Sequence, residues 1–441
     1  MWIEEISLEN IKCFEKITLK FGTTNAPYKW VTLLSENGSG KTTVLQAIAL
    51  MLAGPESASQ LLPRPVGWLK DQKTAGKISA RLHKDTRDSG TFGVDKKRTA
   101  FGYSMHVSGK EPISIRNKVH TVPGIHESAD KILGWLRQNA FSSQSDGWFA
   151  VGYGAFRRLT RSHQVIVPAL EPPTRFTNFL TQFSEDEGLA AFEQWMIYLD
   201  YKLAKEKDSK AKLQKDMGVA AINELLPTGV RYDSIDSEGR ILFDVNGSKV
   251  PTVALSDGYR SVLALAGDLV WRMISAFPES SAPLTEHGVA LIDELDIHLH
   301  PLWQRHIAGW LQAQFPNLQF IVTTHSPMVA AGAGPEALTL KLQSNGAAVL
   351  PITQSLFAMD VDDILKSEAF GLVSTFTPLT QEKLDQLAAL QTKTSKLSAE
   401  ENSRLKQLSL FVQEHNPYGI EKLPNTLEDR LDAFLKKKVE Q

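Results

Sequence analysis

Nine residues constrain this chain most: Ser35-Glu36-Asn37-Gly38-Ser39-Gly40-Lys41-Thr42-Thr43. Before them, Trp30-Val31-Thr32-Leu33-Leu34 reads as a buried strand. After them, an apolar segment from about Lys41 to Leu52 reads as a helix closed by Gly54-Pro55. Small residues between a strand and a helix let successive backbone N–H groups turn inward on phosphate oxygens, where the helix N-terminus adds partial positive charge. The phosphate-loop pattern asks for Gly, four residues, then Gly-Lys-Ser/Thr; here Ser35 stands in place of the leading Gly. Its Cβ is tolerable where φ is negative. The expected nucleotide contacts are Asn37, Gly38, Ser39, Gly40, Lys41, Thr42 and Thr43. Lys41 is expected to bind the β- and γ-phosphates and Thr42 to ligate Mg²⁺. ATP with Mg²⁺ is the expected ligand pair.

A second signal is Gly288-Val289-Ala290-Leu291-Ile292-Asp293-Glu294, an apolar strand that delivers two acids to its C-terminal edge. Ligands gather at that edge of open α/β sheets. Asp293 is expected to hold Mg²⁺, and Glu294 to orient or deprotonate an attacking water. A helix from about Pro301 to Gln314 and a strand Leu318 to Thr323 complete one β-α-β unit. Further upstream, Leu255-Ser256-Asp257-Gly258-Tyr259-Arg260-Ser261 precedes an apolar helix. That segment serves equally as an anion site or as an ordinary Ser/Asp N-cap.

Ser256 lies 37 residues before Asp293 (293 − 256), and at that spacing the sequence resembles the ABC-type ATPases of the SMC, RecF and OLD group. In that group a Leu-Ser-Gly-Gly-Gln-like signature loop sits just upstream of the acidic strand. The Leu-Ser-x-Gly frame survives here, with Asp257 in place of the first glycine of the pair. Thr323-Thr324-His325-Ser326-Pro327 then matches the place of the family's switch histidine, which makes His325 a γ-phosphate sensor. Leu295 to Pro301, Leu-Asp-Ile-His-Leu-His-Pro, resembles the D-loop of OLD- and RecF-like members. On this reading His298 and His300 belong to a subunit-interface loop rather than a metal site. The resemblance also implies a glutamine that touches Mg²⁺ and water, with Gln144 the nearest candidate. Gly152-Tyr153-Gly154-Ala155-Phe156-Arg157-Arg158 and Met359-Asp360-Val361-Asp362-Asp363-Ile364-Leu365 look like segments of one bacterial branch. That branch includes the ATPase subunits of Septu-type and retron-associated antiphage systems. Arg157 and Arg158 read equally as surface salt bridges or as phosphate contacts.

What the resemblance implies is an α/β P-loop NTPase, an ABC-ATPase head with an N-terminal antiparallel β-region, a short helical insert and a helical C-terminal tail. The expected divisions are 1–177, the N-terminal lobe with the phosphate loop; 178–229, the insert; 230–376, the lobe with signature, acids and switch histidine; and 377–441, the tail. Within the second lobe, residues 230 to 254 read as a β-hairpin turning at Asn246-Gly247. Residues 55 to 135 mix strand-like runs with Gly, Pro, Lys and Arg and give no clear order. No sustained heptad fills the interval from Lys41 to Ser256, so long coiled-coil arms are not expected.

The family's heads pair so that the signature loop, with Ser256 and Gly258, completes the ATP site of a neighbouring copy. A homodimer or higher oligomer follows. Such a clamp gates something else, and the leading partner is a separate effector protein, a nuclease, docked on the helical tail in antiphage defence. Asp360-Val361-Asp362 has the spacing of a built-in Toprim nuclease, but the helical residues after it do not supply that fold. The alternative is a RecF- or SMC-like repair ATPase that binds DNA or another nucleic acid. A transporter subunit fits less well, because the signature lacks the Gly-Gly pair. Lys+Arg 48 against Asp+Glu 50 rules out a polycation that coats nucleic acid. Local runs at Lys96-Lys97-Arg98 and Lys436-Lys437-Lys438 read first as solvated charge. The lone Cys13, an acidic start and no long apolar stretch point to a cytoplasmic protein with no membrane anchor.

Overall fold

A computed structural model describes residues 1–91, 99–115, 118–128, 131–142, 147–155, 172–184, 191–343, 349–393 and 397–415. The strands in chain order are β1 (Trp2–Ile11), β2 (Phe14–Lys20), β3 (Trp30–Leu34), β4 (Gly76–His83), β5 (Ala100–Ile115), β6 (Lys118–Glu127), β7 (Phe149–Tyr153), β8 (Val230–Ile235), β9 (Ile241–Val245), β10 (Ser248–Pro251), β11 (Gly288–Ile292), β12 (Leu318–Thr323), β13 (Leu338–Leu342) and β14 (Val349–Pro351). The helices are α1 (Lys41–Ala53), α2 (Pro55–Leu61), α3 (Lys131–Asn139), α4 (Ala191–Glu206), α5 (Ser209–Leu225), α6 (Asp257–Ala276), α7 (Pro301–Gln314), α8 (Pro327–Gly332), α9 (Val361–Lys366), α10 (Pro378–Thr392) and α11 (Ala399–His415). The larger of two compact units runs from Met1 to Ile364 and takes in Glu368–Phe370. The smaller contains α10 and α11.

The central sheet has the order β14-β13-β3-β12-β11-β7, parallel except at β14. Parallel strands covered on both faces read as unbroken apolar runs, and β3, β11 and β12 are buried at every residue. Alternation divides the two faces. Val31, Leu33, Val289 and Leu291 pack with α1, while Trp30, Ala290, Ile292 and Phe320 pack with α6 and α7. Helix α6 is buried on nearly every side, and at Gly267 it presses so close to Phe192 of α4 that a Cβ would lie 2.4 Å from the ring.

Residues 55 to 135 supply most of a second sheet, ordered β2-β1-β4-β5-β6 and antiparallel throughout. Buried residues alternate along β4 (Ile78, Ala80, Leu82) and β5 (Phe101, Tyr103, Met105, Val107), and register shifts occur between Ile3 and Glu5 and between Ser108 and Glu111. One buried side chain joins the two sheets. Gln319 of β12 accepts from Ile3 N at 2.8 Å and donates to the carbonyls of Ile3 and Phe21, each at 3.0 Å.

The expected hairpin at 230–254 is a three-stranded meander, β10-β9-β8. Asn246 and Gly247, at φ 53 and 88, form the turn that the sequence marks. The additional turn is made by Asp236, whose carboxylate accepts from Glu238 N and Arg240 N, both at 2.9 Å. Between α4 and α5 the charged stretch from Lys202 to Lys215 is divided. It breaks at Lys207, with φ 52, and Asp208 caps α5 by accepting from Lys210 N and Ala211 N. In the smaller unit α10 and α11 form an antiparallel pair, with Arg404 donating to Gln386 at 2.8 Å and Lys383 over the Phe411 ring at 3.9 Å. Among the described residues no helix is long and apolar enough to cross a membrane.

Candidate nucleotide site

The loop from Ser35 to Gly40 follows the C-terminal end of β3. Ser35 lies outside the left-handed region, so its Cβ is accommodated where the pattern has glycine. Gly38 and Gly40 carry φ 78 and 95, which side chains rarely adopt. Gly40 is constrained twice over, because a Cβ there would stand 2.4 Å from Phe14 Cζ and 2.6 Å from Cys13 Sγ. Gly40→Ala should therefore destabilise the fold by about 2–4 kcal/mol. Urea melting of the variant checks this; an unchanged midpoint would contradict it.

Helix α1 starts at Lys41 with no side-chain cap and no acidic residue in its first turn. Its N-terminus is thus uncompensated from within, as an anion site requires. At the same place Ser39 Oγ is buried without a hydrogen-bond partner among the described residues. Lys41 Nζ bridges back across the loop, donating to Ser35 O at 2.8 Å, Ser35 Oγ at 3.1 Å and Glu36 O at 3.4 Å. Burial draws the Lys41 ammonium below its ordinary pKa, while Asp293, Glu294 and Asp296 oppose that fall.

Residues 251 positions apart meet here. Thr42 Oγ1 donates to Asp293 Oδ2 at 2.7 Å. The other oxygen, Asp293 Oδ1, accepts from Thr323 Oγ1 at 2.5 Å, and Thr323 Oγ1 in turn accepts from Glu294 N at 2.7 Å. Asp293 N donates to Tyr153 O at 2.9 Å. The acids after β11 are thereby tied to α1, β12 and β7 together. Glu294 is half-buried and holds φ 47, an uncommon value for a side-chain-bearing residue. A threonine hydroxyl beside a carboxylate is a hard-oxygen donor pair that suits Mg²⁺, a cation that keeps waters and phosphate oxygens in its remaining positions. Thr323→Val keeps the shape and deletes the hydroxyl, removing both its bond from Glu294 N and its bond to Asp293 Oδ1. A loss of about 1–3 kcal/mol in chemical denaturation is expected.

His325 sits past the end of β12 with its side chain exposed, and its N–H donates to Asp296 Oδ1 at 3.1 Å. Thr324 Oγ1 donates to the same oxygen at 2.6 Å. Ser326 caps α8, and its hydroxyl donates to Gln304 Oε1 at 2.8 Å. His300 caps α7, its Nδ1 accepting from Leu302 N at 3.3 Å. His298 is exposed, with φ 62. Among the described residues no group of three or more His, Cys, Asp or Glu could hold a metal. Ser256 occupies the N-cap of α6, yet its side chain makes no capping bond and is exposed. Gly258 lies against this loop: a Cβ there would be 3.2 Å from His298 O.

Gln144, Arg157 and Arg158 fall outside the described residues, as do Lys96 to Arg98 and Lys436 to Lys438. In the sequence Thr323 and Asp296 fall within longer segments without a bonding role, and Gln182 goes unmarked. Gln182 ends a 3-10 turn, Leu180–Gln182, and both atoms of its buried side-chain amide lack a partner among the described residues. Its carbonyl accepts from Gln46 Nε2, one turn beyond Thr42 on α1, at 2.8 Å. The one signal in the sequence is Gly152, where a Cβ would lie 2.3 Å from Gln182 Oε1.

A phosphate loop after one parallel strand, with acids after another and β12 between them, defines a P-loop NTPase fold. The chain belongs to the family described as "AAA domain, putative AbiEii toxin, Type IV TA system", which it matches over residues 36–331. It is similar to the Septu protein PtuA of Bacillus mycoides (strain KBAB4), 28% identical over 86% of this chain and 46% of the relative. It is also similar to the "Retron Ec83 probable ATPase" of Escherichia coli, 45% identical over 20% of this chain and 16% of the relative. The chain thus spans half or less of the length of either relative. Among solved structures, an Smc head bound to the C-terminal winged-helix domain of ScpA aligns at TM-score 0.46 and 13% identity, over 80% of this chain and 98% of that one.

Proposed function

We propose that this chain binds and hydrolyses ATP, and that pairing of two copies around ATP gates a separate effector in bacterial antiphage defence. The observation that carries the reading is the Thr42–Asp293 contact at 2.7 Å, which unites the phosphate loop with the acidic strand. Lys41 and the first N–H groups of α1 would take the β- and γ-phosphates. Thr42 and Asp293 would hold Mg²⁺, which when bound neutralises charge on the phosphate oxygens. Glu294 would accept a proton from the attacking water, its main chain fixed by Thr323. His325, with an exposed ring beside Asp296, would meet the γ-phosphate.

The second half of the site would come from another copy. The exposed start of α6 supports this: Ser256 spends no side-chain bond on its own helix and stays open to a phosphate from outside, with Asp257 as an opposing acid in the same turn. Similarity to the Septu and retron relatives supports the defence setting, and a nuclease is the effector we favour. A phosphate-release assay on the purified chain tests the core of the reading. Mg²⁺-dependent release is expected, with a doubled mass by light scattering when ATP is present. A chain that bound no nucleotide would end the proposal; a chain that hydrolysed ATP as a strict monomer would remove the pairing.

A further inference from the structure

Strands β3, β12, β11 and β7 run parallel, so their C-terminal ends share the edge where the phosphate loop lies. The five residues of β7 span about 13 Å. At its opposite end a cavity of about 280 Å³ opens beside Trp148 and Phe149. Two arginines line it, Arg175 and Arg272, together with Asn178, Thr174 and Ser275.

The two guanidinium groups differ in how their charge is met. Arg272 Nε donates to Asp268 Oδ2 at 2.6 Å and its Nη1 to Asn178 Oδ1 at 2.6 Å. Asp268 is fully buried and also accepts from Tyr153 OH at 2.8 Å. Arg175 forms no ion pair among the described residues. It donates to Ala140 O at 2.6 Å, to Leu52 O at 3.4 Å and to Trp148 O. Asp88, the acid whose field reaches it, already pairs with the N-terminal amine at 2.9 Å and accepts from Trp148 N at 2.5 Å. Burial pulls the Arg175 pKa down to about 10. Arg175 is half-buried and its charge is met by neutral carbonyls alone, so an anion in the adjoining cavity would find a cation with no acid paired to it among the described residues.

We propose that this cavity binds a small phosphate-bearing anion, at a site distinct from the nucleotide site. Beyond the bonds already made, Arg175 keeps its Nε–H and Arg272 its Nη2 donors, and Ser275 adds a hydroxyl; the Asn178 amide donates to Ala150 O and Thr174 Oγ1 to Thr177 Oγ1. Donors from two guanidinium groups on one cavity suit a tetrahedral phosphate better than a planar carboxylate. The volume lies at the low end for ligand pockets, which fits a group the size of pyrophosphate rather than a whole nucleoside triphosphate. The site does not depend on the ATPase reading.

Isothermal titration of inorganic pyrophosphate into the Lys41→Ala variant, whose phosphate loop is disabled, tests it. One pyrophosphate per chain is expected. In the Lys41→Ala background, Arg175→Gln should weaken binding by about tenfold or more. Ser275→Trp, which fills the cavity and leaves both arginines in place, should do the same while melting with its parent; it covers the case in which Arg175→Gln does not fold. No binding to Lys41→Ala, or undiminished binding to folded Ser275→Trp, would overturn the proposal.

Discussion

Lys41→Ala should abolish tight nucleotide binding. The side chain is almost wholly buried and its ammonium holds Ser35 O, Ser35 Oγ and Glu36 O, so it is already poised over the loop that faces the phosphates. Removing a charge-assisted hydrogen bond to phosphate from a desolvated site costs about 3 kcal/mol, roughly a hundredfold in Kd. Calorimetric titration with ATP reads this directly. The fold should survive, because the lysine's three acceptors are loop oxygens that water can reach once the side chain is gone; thermal melting within a few degrees of the parent is expected. Unchanged ATP affinity would sink the assignment of the phosphate loop. Loss of affinity together with loss of folding would instead place Lys41 among the structural residues, and the two measurements separate these outcomes.

The parts of this site legible in the sequence are those whose chemistry is local. The loop, its lysine and the two acids sit beside continuous apolar runs, and buried parallel strands announce themselves in that way. The β-α-β unit from Gly288 to Thr323 follows for the same reason. Contacts between distant segments were not legible. Thr323 is an ordinary strand-end threonine until β12 lies beside β11, and only then does its hydroxyl join Asp293 to Glu294. Gln182 and Gln319 look like surface glutamines in sequence, yet both are buried and one of them links two sheets. Part of the antiparallel sheet was legible, since β1 and β2 form the expected N-terminal antiparallel region; β4 and β5 carry a period of two as well, in Ile78, Ala80 and Leu82 and in Phe101, Tyr103, Met105 and Val107, but lie among Gly, Pro, Lys and Arg that blur their ends. At Ser256 the sequence left an N-cap and an anion site equally open. In the structure Ser256 makes no capping bond, whereas Asp208 caps α5 in this same chain, and Asp257 places an acid in the first turn of α6.

Glu294→Gln should leave ATP binding within a few-fold of the parent and reduce hydrolysis by about 10²- to 10⁴-fold, the usual share of a general base. The substitution nearly preserves volume and removes only the group that accepts a proton. The main-chain bond from Glu294 N to Thr323 is indifferent to it, so the geometry that holds Asp293 against Thr42 should persist. That separation makes the variant informative about more than chemistry. If ATP joins two copies and hydrolysis parts them, a chain that binds but cannot hydrolyse should accumulate as the pair, doubling its mass by light scattering in ATP and Mg²⁺ and reverting when nucleotide is removed. Normal turnover in this variant would remove Glu294 from its role. Arrested turnover without any change in mass would keep the base and discard the pairing, which would leave the exposed serine at the start of α6 in need of another purpose.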